Sequence, residues 1–270
     1  MTTEVPTITT HLGHAGWDDH EVRGVVLFGV DPRTTSIPDL MLLTLGIPPH
    51  PKAREVVSVC VQAGLNPDPR IPPMKLVRLG AAHGHLLTAL ATGFVGMQSS
   101  YVGMTALSDA AHFLSALQGT LGWDFSDEQL DAAIRERRRN RTGIFGFGVP
   151  GRPVDERIVW LSARLEEFLD GPRPWWSLFE RTGALLSKYR RQPNFGGGLA
   201  AAMLDLGGLP EHTAAMGCLF GLLPLVGNAF EGAQQAPVVL QELPPEVSVH
   251  YVGEEARVSP RAAGRPPEES

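Results

Sequence analysis

The stretch Arg141-Thr-Gly-Ile-Phe-Gly-Phe-Gly-Val-Pro-Gly-Arg-Pro-Val-Asp-Glu-Arg157 is rich in glycine, proline and charged residues, and it separates two segments with helical periodicity. This composition predicts a shaped loop between two helices, a common place for functional residues. Residues 146–151 of this glycine loop also match the pattern Gly-x-Gly-x-x-Gly. That pattern indicates dinucleotide binding only when it follows a buried strand and opens a helix. Only Ile144 and Phe145 supply apolar residues directly before it, so the sequence argues against a dinucleotide-binding turn.

The composition is that of a folded, soluble protein. The chain has 270 residues, of which 43% are hydrophobic and 19% charged, so it can bury a core as one domain or as two lobes around a cleft. A net charge of -6, without a basic stripe interleaved with aromatic residues, argues against a nucleic-acid partner. Cys60 and Cys218 form neither a metal-binding spacing nor a disulfide framework. We therefore expect a cytoplasmic protein with no metal.

Three further segments bear on location and metal binding. The first ten residues are polar and lack the apolar core of a signal peptide. The uncharged runs 86–107 and 213–229 are interrupted, the first by polar residues and the second by Pro224, so we expect buried helices and no membrane span. His11, His14 and His20 could bind a metal, but no helix or hairpin is predicted to hold them at a known spacing. We expect a solvated N-terminal segment, and the role of these histidines stays open.

Periodicity and end signals predict a mainly α-helical protein. Ser36 and Gly46 bound one short helix, a second covers Ala53–Gly64, and Ser126 begins another in a capping box. Residues 74–90 are predicted to form one long helix, with His83 and His85 between packed helices. Residues 24–30 form a strand-like apolar run, and residues 238–243 and 247–252 alternate like strands, so we predict a minor β hairpin near the termini.

Two blocks of sequence resemble motifs of the citrate synthase superfamily. Gly146-Phe-Gly148, with Val149-Pro150 and Asp155-Glu-Arg157, is similar to the family's "GFGH…DPR" loop. The second block begins at Pro193-Asn-Phe-Gly-Gly197 and continues to Glu231; it is similar to "PNVD…LLDLG…AHxxE". The resemblance covers roughly residues 31–235.

The resemblance implies a two-lobed helical fold. Its large lobe would hold residues 1–102 and 198–253, and its small lobe residues 103–197. The composition of residues 254–270 predicts a disordered tail. The resemblance also implies a homodimer that acts on a small carboxylate or an acyl-CoA. The coenzyme A thioester would be a substrate, with no tightly bound cofactor.

The family's proton-transfer residues are replaced in this chain. By resemblance, the loop histidine falls on Val149 and the aspartate of "PNVD" on Gly196. The histidine of the family's "HGG" motif falls near Tyr101, and that of "AH" falls on Asn228. Because valine and glycine cannot transfer protons, the ordinary condensation mechanism is not available at these positions.

Two hypotheses follow for the function. The protein is either a divergent enzyme that makes or breaks a C–C bond in a CoA thioester or related carboxylic substrate, or a catalytically degenerate homologue. The second would serve as a ligand-binding or partner subunit, alone or in a heteromer with an active homologue. The candidate catalytic residues are Tyr101, His83, His85, Arg152 and Asn228. The candidate cofactor-binding residues are Gly146, Phe147, Gly148, Val149, Arg157 and Asn194.

The arginine-rich segment 135–141 allows two interpretations. Acidic residues begin the preceding helix and arginines end it, as the helix dipole favours, so the segment can be a solvated helix end. Alternatively, it lies beside the glycine loop and attracts the phosphates of coenzyme A.

Overall fold

The computed structural model describes residues 9–98, 103–149, 151–235, 250 and 252–254. Within these ranges the chain forms ten α-helices and one small antiparallel sheet, so the predicted helical architecture is confirmed. The strands are β1 Gly13–Ala15, β2 His20–Val22 and β3 Val25–Val26. The helices are α1 Ile37–Leu45, α2 Ala53–Gly64, α3 Pro72–His83, α4 Leu86–Gly96, α5 Met104–Leu121, α6 Asp127–Arg139, α7 Glu156–Phe168, α8 Pro174–Ser187, α9 Phe195–Asp205 and α10 Pro210–Gln234.

The sheet is a three-stranded meander close to the N-terminus, in the order β1-β2-β3. A two-residue turn joins β2 to β3, with positive φ at Arg23 and Gly24, as tight hairpins require. The predicted strand at residues 24–30 was therefore too long, since only β3 pairs and a short 3-10 turn follows it. The C-terminal strand-like run 238–243 lies outside the described residues, as does nearly all of the run 247–252.

The predicted helix ends are confirmed where a cap is present. Ser36 accepts a hydrogen bond from the backbone N–H of Asp39, and the Asp39 carboxylate accepts one from the Ser36 backbone at 2.7 Å. Gly46 ends α1 with a left-handed φ of 72°. Ser126 and Gln129 form the second reciprocal cap, at the start of α6. These positions show that local signals alone determine where α1 and α6 begin.

The expected long helix over residues 74–90 is wrong. The chain turns at Gly84, between α3 and α4, and the two helices pack side by side. A Cβ at Gly80 would lie 2.9 Å from the Cα of Ala89, so this glycine allows the close approach of the two backbones. His83 and His85 lie at the turn and are exposed, whereas we expected them between packed helices.

Helix α10 crosses the protein and packs on α3, α4 and α5. It continues through Pro224, which interrupts the apolar run of the sequence without ending the helix. By length and composition it could cross a membrane, but half of its most apolar window is buried inside the protein, as in a core helix. Glycine lets it approach its neighbours: a Cβ at Gly217 would lie 2.3 Å from a methyl carbon of Leu107, and one at Gly232 would lie 2.8 Å from the Cα of Arg78.

The buried apolar side chains form two clusters. The larger joins α1, α2, α5 to α9 and the first half of α10. The smaller lies between α3, α4 and the second half of α10, and it includes Val77, Ala89 and Leu225. The division into a large and a small lobe stays a prediction, and residues 255–270 of the predicted tail lie outside the described part of the chain.

Candidate functional site

The glycine loop is bound to the segment that enters α9. The backbone N–H of Gly148 donates to the carbonyl of Gln192 at 2.7 Å, and that of Asn194 donates to the carbonyl of Gly146 at 3.1 Å. The side-chain amide of Asn194 donates to the carbonyl of Gly148 at 3.0 Å. The two sequence blocks that carry the resemblance are thus joined directly, and the shape of the loop is fixed by backbone contacts.

Glycine is required where the loop meets α9. Gly146 has a φ of 83°, and a Cβ there would lie 2.8 Å from the Cα of Gly197. A Cβ at Gly197 would lie 2.6 Å from the carbonyl oxygen of Gly146. A side chain at either position would push the loop away from the helix.

Two of the predicted cofactor-binding residues build the loop through their side chains. Phe147 is buried, and its ring lies 6.0 Å from that of Phe113 and 5.2 Å from that of Phe179, measured between centroids. Asn194 caps α9 by accepting a hydrogen bond from the backbone of Gly197 at 3.1 Å. The side chains of Phe147 and Asn194 are therefore used to build the loop and the start of α9.

Asp155 connects the start of α7 to the start of α9. Its buried carboxylate accepts hydrogen bonds from the backbone of Phe195 at 2.9 Å and from the guanidinium of Arg157 at 2.8 Å. Burial raises the pKa of this carboxyl, but the hydrogen bonds and the charge of Arg157 together lower it by more. The net pKa is therefore below the usual value. Arg157 also stacks on Phe195, 5.0 Å from the ring centroid. The charged pair therefore orients the segment that carries Asn194.

A cavity of about 340 Å³ opens beside the loop, and we call it the arginine cavity. Its lining residues are Val149, Arg152, Pro153, Ser187, Arg190 and Gln192. Arg152 is paired with Glu156 at 2.5 Å. Arg190 makes no ion pair or side-chain hydrogen bond with any of the described residues. One paired and one unpaired guanidinium thus face the same space, a combination suited to an anion.

The sequence did not identify Arg190. Its φ of 57° is left-handed, a conformation that costs a non-glycine residue on the order of 1 kcal/mol and is common where function constrains the backbone. The available signal was its place just after α8 and directly before the motif Pro193–Gly197, where a helix end usually carries glycine.

The arginines near the end of α6 are mostly used in packing. Arg135 pairs with Asp131, and the guanidinium of Arg138 lies 3.6 Å from the centroid of the Tyr189 ring. Arg137 lies over Phe113 at 5.2 Å. These contacts favour the interpretation as a helix end over that of a phosphate-binding cluster.

Asn228 is buried and uses the hydrogen-bonding groups of its side chain. Its amide nitrogen donates to the carbonyls of Pro67 at 3.0 Å and Pro224 at 2.9 Å. Its amide oxygen accepts from the Nε of Arg78 at 2.7 Å. Arg78 also pairs with Glu231 and donates to the side chain of Gln235. Asn228 therefore joins α10, α3 and the loop before α3.

The other catalytic candidates are not gathered around Asn228. His83 is the last residue of α3 and His85 directly precedes α4, so both lie at the end of α3 opposite to Pro67, and this helix of 12 residues is about 18 Å long. Tyr101 lies outside the described residues. Of the candidate catalytic residues, Arg152 lies on the arginine cavity, next to Val149 of the predicted cofactor-binding set.

No protein-family model matches the sequence, and no curated protein matches it. Solved structures with a similar fold include citryl-CoA lyase from Hydrogenobacter thermophilus, at 17% identity and a TM-score of 0.80, covering 96% of this chain and 100% of that one. ATP citrate lyase from Methanosaeta concilii, in complex with (3S)-citryl-CoA, has 17% identity and a TM-score of 0.72 over 93% of this chain and 43% of that chain. Citrate synthase from Thermotoga maritima has 14% identity and a TM-score of 0.60, covering 86% and 61%. The chain therefore has the fold of the citrate synthase superfamily.

Proposed function

We propose that this protein binds a coenzyme A thioester, or a related carboxylic substrate, at the glycine loop and makes or breaks a C–C bond with a non-standard residue set. The observation that carries the proposal is the arginine cavity, which is lined by Val149 of the loop, by Arg152 and by Arg190, whose guanidinium has no ion-pair partner in the described part of the chain. The ligand of the structurally similar ATP citrate lyase, (3S)-citryl-CoA, belongs to this chemical class. By this analogy of fold, the thioester would be a substrate and not a resident cofactor.

The cavity suits the phosphorylated end of such a ligand. A guanidinium binds phosphate through two parallel hydrogen bonds, and Arg190 has no carboxylate partner in the described part of the chain to displace. Ser187 and Gln192 add neutral hydrogen-bonding groups to the same lining.

A second candidate function is ligand binding without turnover. The observation that favours it is the lack of a proton-transfer group at Val149 and Gly196, together with the complete use of the Asn228 side chain in structural hydrogen bonds. A degenerate homologue of this kind would act as a binding or partner subunit, alone or in a heteromer. Catalysis by the chain itself would depend on the candidates Tyr101 and Arg152, with rate acceleration coming largely from positioning.

The test is calorimetric titration of the wild type with coenzyme A, acetyl-CoA and citrate, followed by mass spectrometry of the incubated thioester. Binding of coenzyme A that weakens at least about tenfold in Arg190→Ala would support the site, since one charge-assisted pair contributes roughly 1.5–3 kcal/mol. Arg139→Ala is the matched control, because Arg139 is exposed at the end of α6 and does not line the cavity. Turnover that is lost in Tyr101→Phe favours the enzyme, and binding without turnover favours the second candidate. A wild type that binds none of these compounds contradicts both.

We further propose that the protein is a homodimer and that α10 forms part of the interface. Leu219, Leu222, Leu223 and Phe230 are exposed and recur at spacings of three, one and seven residues, which places them on one side of the helix. Their exposed fractions reach 55% for Leu223 and 61% for Phe230. Between Glu211 and Glu231 the helix carries no acidic or basic side chain except His212. An apolar stripe of this length marks an interaction surface, and a self-complementary pair of helices is the simplest occupant.

A cytoplasmic location is part of the same proposal. Cys60 and Cys218 are both free thiols, and burial raises the pKa of the Cys60 thiol to about 12, which keeps it protonated and unreactive. A reducing compartment is compatible with both.

A further inference from the structure

The first half of the loop between α2 and α3, residues 65–71, is held by groups that belong to other parts of the fold. At its start, a Cβ on Gly64 would lie 3.0 Å from the ring of Phe195, so the end of α2 packs on the first residue of α9. Further along, the carbonyl of Pro67 accepts a hydrogen bond from Asn228 of α10. The loop therefore lies between the α9 end of the site and the polar cluster on α10.

The middle of this loop carries two charges that interact with Arg152, one of the residues that line the arginine cavity. Asp68 forms a two-armed ion pair with Arg70, at 2.6 and 3.0 Å. The pKa of Asp68 is lowered to about 2, chiefly by the hydrogen bonds from Arg70, and the positive charge of Arg152 contributes. The charge of Arg70 in turn acts on Arg152. These mutual effects mean that the loop and the cavity are close enough for their charges to interact.

We propose that Asn228 is a positioning residue, which holds the 65–71 loop at the α9 end of the site through its hydrogen bond to Pro67. The inference rests on the proposed function of the arginine cavity. Only an amide fits all three contacts: its nitrogen donates to the carbonyls of Pro67 and Pro224 while its oxygen accepts from Arg78. A carboxylate at this place would keep the contact with Arg78 and lose both donors.

This difference allows the contact of Asn228 with Arg78 to be tested separately from its contact with Pro67. Asn228→Asp retains a charge-assisted pair with Arg78 but leaves the carbonyl of Pro67 without its donor. Gln235→Ala is the matched control, because it removes a different hydrogen bond to Arg78 and has no contact with the loop. A role in helix packing and a role in loop positioning therefore predict different results for the two variants.

The experiment is hydrogen exchange combined with calorimetric titration of coenzyme A, on the full chain at a temperature where every variant is folded. We expect the amides of residues 66–71 to exchange at least about tenfold faster in Asn228→Asp, and the affinity for coenzyme A to fall about three- to tenfold, with both readouts unchanged in Gln235→Ala. A role confined to helix packing would lower the unfolding temperature without changing exchange in the loop, and that result would overturn the proposal.

Two further outcomes are distinguishable. If Asn228→Asp does not fold, Asn228→Ala gives the same comparison without a buried charge, and wild-type exchange in its loop would count against the inference. If the wild type does not bind coenzyme A, the proposed function fails, while the exchange rates of residues 66–71 still decide whether Asn228 positions the loop.

Discussion

The carboxylate of Asp155 accepts a hydrogen bond from the backbone N–H of Phe195 at 2.9 Å, across a sequence separation of 40 residues. The same carboxylate caps α7, and the first residue of α9 is Phe195. One buried side chain thus connects the end of the glycine loop to the helix that supports that loop. Because Asp155 pairs with Arg157 and also accepts a hydrogen bond from the backbone of Phe195, it is a main determinant of the shape of the site.

Replacing Asp155 by Asn should destabilise the protein by about 2–3 kcal/mol, because a buried acceptor and the ion pair with Arg157 are both lost. The pKa of Asp155 is lowered in the folded state, so its contribution is present above the unfolded value near 4 and is lost as the pH falls through the folded pKa. Urea unfolding between pH 2 and pH 7 measures both effects. We expect the variant to lose less stability than the wild type on acidification below pH 4, and parallel curves would contradict this assignment.

Asp205 should have the opposite pH dependence. Burial raises its pKa to about 6, although the backbones of Trp175 and Trp176 donate hydrogen bonds to it. Because the folded pKa exceeds the unfolded one, the stabilising contribution is complete below about pH 4 and is lost as the pH rises towards 6. The loss is at most about 3 kcal/mol for two pKa units.

The measurement is the free energy of unfolding between pH 4 and pH 7 for the wild type and Asp205→Asn. In Asp205→Asn, the free energy of unfolding should not show the part of the decline with rising pH that is due to this carboxyl. Asp170→Asn is the control, since Asp170 is exposed and this variant should keep the wild-type slope. Equal slopes in the wild type and Asp205→Asn would exclude the raised pKa.

Gly146→Ala should distort the glycine loop. The φ of 83° and the 2.8 Å approach to Gly197 leave no room for a methyl group, so we expect a loss of about 2–3 kcal/mol in stability. Gly119→Ala is the matched control: nothing lies within 4 Å of the position that a Cβ would take there, and this exposed residue is inside α5. There alanine should stabilise by up to about 1 kcal/mol. If the loop has this geometry, the unfolding temperature should fall in Gly146→Ala and rise in Gly119→Ala.

The helix boundaries were predictable where the chemistry is local. Ser36 and Gly46 bound α1 through their own hydrogen bonds and backbone preferences, so the sequence alone was sufficient. The turn at Gly84 was not predictable, because apolar periodicity continues on both sides of it. Its cause is the packing of α3 on α4 at Gly80, a contact between segments that periodicity does not reveal.

The candidate site was predictable in part. The resemblance identified the segments that meet, and the bond between Asn194 and Gly148 confirms that they are neighbours. It could not separate residues that shape the loop, such as Phe147, from residues that face open space, because both kinds are retained in a motif. Arg190 was missed since its importance depends on a cavity wall and on the absence of a nearby carboxylate among the described residues.

The proposed dimer gives the last prediction. Leu223→Glu places a charge in the middle of the apolar stripe on α10, where it would be buried by a second copy of the chain. Because an unpaired buried charge costs several kcal/mol, the dissociation constant of the dimer should rise at least about 100-fold. Light scattering coupled to size exclusion should then give the mass of one 29.1 kDa chain in place of two. Val159→Glu makes the same kind of change on the exposed face of α7 and should keep the mass of the wild type. A wild type that is already monomeric at micromolar concentration would contradict the proposed dimer.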